Sequence, residues 1–65
     1  MLTPENTIAH LERLPHNLIR ALFKMERSCD PDLNIEEGWL EIGDAVYWAA
    51  QEEGQRGILI IRIEG

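Results

Sequence analysis

The chain has 65 residues, with twelve acidic side chains against six basic ones and a formal net charge of −6. A chain of this length buries about 60% of the surface that its unfolded form exposes, which excludes a second domain or a separate cofactor-binding fold. Its hydrophobic content of 45%, with two Trp, one Tyr and one Phe, is well above that of disordered segments. We therefore expect residues 1–65 to form a single small globular domain.

The cellular compartment is indicated by cysteine content and hydropathy. Cys29 is the single cysteine, so no internal disulfide can form, which favours a reducing compartment. Residues 1–6 show no leader pattern, and the longest apolar run, residues 58–61, is far shorter than the roughly 18 residues that cross a bilayer. We expect a soluble cytoplasmic protein without a membrane partner.

Two short helices are predicted in the first half of the chain. Thr3 is a typical N-cap residue and Pro4 fits the first helical position, so a helix begins there. Pro15 interrupts the helical pattern, because inside a helix it removes a hydrogen bond and clashes with the preceding turn. The apolar stripe of this first helix consists of Ile8, Leu11 and Leu14.

A second helix is predicted to open at Pro15 and to stop near Ser28. Asp30 precedes Pro31, and the residue before a proline avoids the helical region. The predicted apolar face of this second helix consists of Leu18, Ile19, Leu22, Met25 and Cys29.

Residues 32–53 allow three interpretations. The first is one long helix capped by Asn34, against which Gly38 and Gly43 argue, since each glycine costs about 1 kcal/mol in a helix interior. The second, which we favour, pairs residues 33–35 with 39–42 as a hairpin and then begins a helix at Asp44 that ends at Gly54.

The third interpretation treats Gly43 and Asp44 as a turn that enters a strand. This strand would form a hairpin with the last strand of the chain across residues 52–57. In this stretch, Gly43-Asp44-Ala45-Val46 resembles the Gly-Asp-x-Val segments of small SH3-like barrels.

The most distinct strand signal is the β-branched run 58–63. Its four consecutive aliphatic residues predict burial on both faces at its start, with Arg62 turned outward. A lone strand cannot satisfy its backbone groups, so it must pair with residues 39–42, with residues 45–50 or with the same strand of another chain. We expect an α+β fold, with two short N-terminal helices packed on a small antiparallel or mixed sheet.

Residues for catalysis or metal binding are sparse, and we predict neither an enzyme nor a cofactor. Cys29 is flanked by Asp30, whose charge disfavours a thiolate, and it is expected to be buried or inert. His10 and His16 have no companions at metal-ligand spacing and are expected on helix surfaces. Residues 30–37 place oxygens at alternate positions, but they lack the central glycine and final glutamate of a calcium loop.

The charge distribution is the clearest functional signal. Between Ser28 and Gln55 the chain contains eight acidic residues and no Lys or Arg, which disfavours direct binding of nucleic acid and favours a basic partner surface. The same acidity would also serve solubility alone. An aromatic anchor among carboxylates suits an Arg-rich surface. The predicted partner-binding residues are Asp30, Asp32, Glu36, Glu37, Trp39, Glu41, Asp44, Glu52 and Glu53.

Three functions are compatible with this pattern. In size, acidity and lack of a motif, the whole chain resembles small phage-encoded inhibitors, the anti-CRISPR and anti-restriction proteins, some of which mimic nucleic acid. That resemblance implies a non-enzymatic protein that occupies the basic surface of a nucleic-acid-binding complex. The alternatives are an assembly module that forms a homodimer through the strand at 58–63 and a small helix-turn-helix regulator.

Overall fold

The fold is that of a computed structural model, which describes residues 3–64 without the side chain of Pro4. The segment 1–6, expected to carry no leader, lies partly outside the described residues. Within residues 3–64, two helices precede a four-stranded antiparallel sheet with strand order β1-β2-β3-β4. The elements are α1 (Pro4–Glu12), α2 (His16–Phe23), β1 (Glu26–Arg27), β2 (Ile35–Ile42), β3 (Ala45–Glu52) and β4 (Leu59–Glu64).

The two helices begin where the sequence signals place them. The side-chain oxygen of Thr3 accepts a hydrogen bond from the backbone N–H of Asn6 at 3.2 Å, so the predicted cap of α1 is confirmed. Pro15 separates the helices and precedes α2 directly, as predicted. Ile19 and Phe23 are the buried residues of α2.

The predicted end of the second helix is wrong. Helix α2 ends at Phe23 rather than near Ser28, because Lys24 adopts the left-handed conformation, with φ 46° and ψ 54°. The chain then turns into β1, and Cys29 lies exposed in the loop after β1 instead of on an apolar helix face. Of the two expected alternatives, a buried thiol is therefore wrong, and an inert thiol stays a prediction.

We expect the variant Lys24→Gly to be more stable than the wild type by about 0.5–1 kcal/mol. The left-handed conformation costs an L-residue about 1–2 kcal/mol, and glycine removes this cost while losing more backbone entropy on folding. Urea unfolding followed by Trp fluorescence would measure the difference. Lys24→Ala is the control, because it removes the charge but keeps the Cβ atom. Equal stability of the two variants would contradict the prediction.

Residues 35–52 form the β2–β3 hairpin, so the favoured hairpin-plus-helix interpretation and the long helix are both wrong. The third interpretation is confirmed. Gly43, with φ 59°, and Asp44 form a two-residue turn between Ile42 and Ala45, and glycine at the first turn position is typical of type II′ hairpins. The run Val-Tyr-Trp after the turn has high strand propensity and outweighs the capping signal of Asp44.

Strand β4 confirms the predicted last strand but corrects its burial. Ile60 is buried, whereas Leu59 and Ile61 on the opposite face are exposed, so only one face of the strand is covered. Arg62 is half-buried and shares the face of Ile60, rather than turning outward as predicted. The sheet therefore has one covered face and one open face.

The hydrophobic core lies between the helices and the covered face of the sheet, which we call the inner face. Its buried residues come from both helices and from strands β3 and β4. This two-layer arrangement confirms the predicted α+β class, with an antiparallel sheet. The buried core residues are Leu11, Ile19, Phe23, Tyr47, Ala49 and Ile60.

Candidate partner-binding face

The face of the sheet that points away from the helices is the candidate functional site. We call it the outer face. Side chains alternate between the two faces along each strand, and paired residues share a face, so the strand register defines its members. They are Glu26 in β1; Ile35, Glu37, Trp39 and Glu41 in β2; Val46, Trp48, Ala50 and Glu52 in β3; and Leu59, Ile61 and Glu64 in β4.

An aromatic and aliphatic row crosses the centre of the outer face. Trp39 pairs with Trp48, and Trp48 pairs in turn with Ile61. Trp39 is 57% exposed and Leu59 is 56% exposed, which is high for side chains of this size. The indole N–H of Trp48 donates to a Glu37 carboxylate oxygen at 2.9 Å, which holds both side chains in place. The row is thus an apolar surface open to solvent.

The charged side chains of this face are all acidic. Glu37 and Glu41 flank Trp39 along β2 on the same face, and no Lys or Arg occupies an outer-face position among the described strand residues. The six basic residues belong to the helical layer, to inner-face strand positions or to loops: Arg13, Arg20, Lys24, Arg27, Arg56 and Arg62. Charge is therefore divided between the two sides of the sheet.

The structure brings together four of the nine predicted partner-binding residues, namely Glu37, Trp39, Glu41 and Glu52, on the outer face. Glu36 is on the inner side, where it forms an ion pair with Arg20. Its charge is therefore compensated, unlike the carboxylates beside Trp39.

The remaining predicted residues lie at the two ends of the sheet. Asp30, Asp32 and Glu53 are in the loops beyond one end, where Asp30 accepts the backbone N–H of Asp32 at 2.9 Å. Asp44 is in the turn at the other end. Eight-residue strands span about 26 Å, which is well beyond the screening length of about 8 Å at physiological salt. These carboxylates therefore do not form one continuous patch.

Several outer-face residues were not among the predicted site residues. The sequence signal for membership of the outer face is period-two alternation. In β2 this alternation is visible, and it places Glu37, Trp39 and Glu41 on one face. In the β4 run the same alternation is hidden, because aliphatic residues occupy both faces. The residues missed are Glu26, Ile35, Val46, Trp48, Ala50, Leu59, Ile61 and Glu64.

Two concavities adjoin the sheet. A shallow groove of about 470 Å³ on the outer face has Trp48, Ala50, Glu52 and Leu59 among its lining residues. A polar cleft of about 370 Å³ beside α2 contains Arg20 and Arg27, which already bind Glu36, Gln51 and Asn34. The groove thus extends the apolar row, whereas both arginines of the cleft are paired within the chain.

The groups capable of chemistry are dispersed. Cys29, His10 and His16 are all exposed, the histidines on the helical side as expected. Among residues 3–64, no group of three or more His, Cys, Asp or Glu side chains is placed to hold a metal ion. No helix within that range has the length and hydrophobicity needed to cross a membrane.

Comparison of the chain with protein-family models, with curated proteins and with solved structures gives no match. The outer face therefore has to be interpreted from its own chemistry. In an α+β fold an apolar sheet face is normally buried against another layer. A large exposed apolar patch with a polar border is typical of a surface that binds another protein.

Proposed function

We propose that this protein is a non-enzymatic interaction module whose outer face binds a basic surface of a partner protein. The observation that carries the proposal is Trp39, a large aromatic side chain that is 57% exposed on an open apolar row. Tryptophan is enriched among the residues that contribute most to protein interfaces. Exposing it in the absence of a partner is costly, so its position favours a role in recognition.

The charges of the outer face define the chemistry of the partner. Glu37 and Glu41 lie on either side of Trp39, with no basic side chain at the neighbouring outer-face positions described. An arginine of the partner can stack on the indole ring of Trp39 while its guanidinium group pairs with a carboxylate. Complementary potentials also accelerate encounter and fix orientation.

The most suitable partner is a protein that itself binds nucleic acid. Such proteins bind phosphates in grooves lined by Arg and Lys side chains. The carboxylates of the outer face can pair with the same side chains. The net charge of −6 repels nucleic acid itself. This protein therefore inhibits its partner, because the nucleic acid and this protein compete for one surface of that partner. The exposed thiol of Cys29 suits a reducing compartment such as the cytoplasm.

The test is a competition experiment. The immobilised protein is exposed to a cell lysate at low salt, and captured proteins are then challenged with a DNA duplex and identified by mass spectrometry. The expected result is a captured basic protein that the duplex releases, because both ligands use the same groove. The proposal would be contradicted if the duplex released none of the captured proteins, or if no protein were captured.

A pair of double variants then tests the outer face itself. Glu37→Gln with Glu41→Gln is expected to weaken binding of the captured protein by about tenfold, because two carboxylates facing basic groups are lost. The glutamine oxygen at position 37 still accepts the Trp48 N–H, so the fold is kept. The matched control, Glu5→Gln with Glu12→Gln on exposed positions of α1, changes the net charge equally. An equal loss in both would show a general charge effect and refute a specific outer-face site.

A further inference from the structure

The free edge of β4 is a second open surface of this fold. Strand β4 is the last in the sheet order and pairs with β3, while no described segment pairs with its other edge. Each edge strand presents backbone N–H and C=O groups that seek partners. Packing of α1 covers the inner face of β4 but does not extend the sheet.

The first half of β4 lacks the features that protect an exposed edge. Natural proteins guard such edges with charged side chains, above all lysine, with proline, with bulges or with very short strands. Residues 59–61 of β4 are all Leu or Ile, whereas its two charged residues, Arg62 and Glu64, lie in the second half of the strand. The one irregularity, a bulge, lies near Ile63, after the regular stretch 59–62. A strand of this composition is prone to pair with another strand.

The opposite edge of the sheet differs. There β1 covers part of β2 by pairing with Glu36 and Glu37. The uncovered remainder carries Gly38 and Glu41, and Gly38 lies against the backbone of Phe23. Strand pairing is therefore favoured at β4 rather than at β2.

A second copy of this chain suits the β4 edge, because antiparallel pairing uses the same edge of both partners. Strand β4 carries one Arg and one Glu, so its own charges balance. Glu37 and Glu41 lie on β2, two strands away. When two sheets join at β4, five strand spacings of about 4.8 Å separate the two β2 strands by about 24 Å, beyond the screening length of about 8 Å. Screening therefore limits the repulsion between the β2 carboxylates of the two copies.

We infer that β4 pairs antiparallel with β4 of a second copy, which joins the two sheets into one of eight strands. An antiparallel strand pair is two-fold symmetric, so one edge serves both copies. The two-fold axis stands perpendicular to the sheet, which places both helical layers on one side and both outer faces on the other. Leu59 and Ile61 of each copy then lie side by side in one continuous apolar surface.

Sedimentation equilibrium of the full chain provides the first measurement. Over about a thousandfold range of concentration, we expect the mass to rise from 7.5 kDa to about 15 kDa, the mass of two chains. A mass of 7.5 kDa throughout this range would overturn the inference.

A charged side chain at the edge should dissociate the dimer. Ile61→Lys is expected to raise the dimer dissociation constant by about tenfold or more, because it brings the two new ammonium groups of the dimer close together at the joined edges. Ile42→Lys is the matched control, since Ile42 is 41% exposed and Ile61 is 40% exposed, but Ile42 belongs to β2. A dimer weakened equally by both changes, or by neither, would contradict pairing at β4.

Backbone N-methylation separates edge pairing from side-chain effects. A chain of 65 residues is accessible by chemical synthesis, and a single N-methyl group is placed at Ile60 in one protein and at Ile61 in another. Neighbouring N–H groups of a strand point to opposite edges, so one of the two proteins keeps the β3–β4 ladder and loses an outward donor. That protein should show wild-type circular dichroism and sediment as a monomer. Its persistence as a dimer would refute the inference.

Discussion

The variant Gly38→Ala is expected to lose about 2–3 kcal/mol of unfolding free energy, the typical cost of forcing extra volume into a packed interior. Gly38 is buried in β2 where the end of α2 crosses the sheet. A Cβ atom there would lie 2.2 Å from the carbonyl oxygen of Phe23 and 3.0 Å from a side-chain carbon of Met25. Because the first of these neighbours is backbone, α2 must move away from the sheet and loosen the burial of Phe23.

Urea unfolding measures this loss, and Gly57→Ala is the control. Gly57 has no heavy atom within 4 Å of the added Cβ position and is not in the left-handed region, so alanine fits there. Domains of this size rarely have more than about 3–5 kcal/mol of stability, so the Gly38 variant should be substantially unfolded at 37 °C while the Gly57 variant is not. Similar midpoints for the two variants would show that the sheet and α2 are not as close as described.

The variant Trp39→Ala is expected to weaken partner binding by about 30-fold or more, which corresponds to the 2 kcal/mol that marks an interface hot spot. Trp39 supplies the central exposed ring of the outer face, between two carboxylates. Its stability effect should be below about 1 kcal/mol, since the ring belongs to the exposed face rather than to the core and its main contact is a cross-strand pair. The measurement is the dissociation constant for the DNA-displaceable partner, with urea unfolding in parallel.

Leu18→Ala is the control for this prediction. Leu18 is an exposed aliphatic residue of α2, on the helical side of the molecule. It should leave the dissociation constant unchanged. If Leu18→Ala weakened binding as much as Trp39→Ala, the partner would contact the helical layer, and the outer face would lose its proposed role.

Local signals predicted the helix starts and the α+β class. Thr3 and Pro15 act through backbone chemistry within one turn, so their effect can be predicted without knowledge of the fold. The end of α2 could not be predicted in this way. Lys24 has no intrinsic preference for the left-handed conformation, which here accompanies the packing of Phe23 against the sheet.

The central segment shows how tertiary structure outweighs local capping signals. Asp44 and Gly54 fit the ends of a helix as well as they fit two turns. The strand is favoured over the helix because the ring of Tyr47 is buried under the helices only when residues 45–52 alternate between two faces. Sequence spacing alone does not show that such a layer exists.

The candidate site was predictable in its charge but not in its shape. The absence of Lys and Arg from residues 29–54 indicated an acidic surface. Which carboxylates act together depends on strand register, since a shift by one residue would exchange the faces of Glu36 and Glu37. The exposure of Leu59 and Ile61 could not be predicted either, because a run of aliphatic residues does not show which face of the strand is covered.

The packing of α1 against β4 has a consequence for how the chain acquires its structure. Each strand of the sheet pairs with its neighbour in sequence, so the sheet can grow by short loop closures, which favours rapid folding. The contact between α1 and β4 instead joins distant parts of the chain. The core therefore closes only after β4 has been synthesised. An incomplete chain that stops at the β3–β4 loop would expose Leu11 and be a ready substrate for chaperones and proteases.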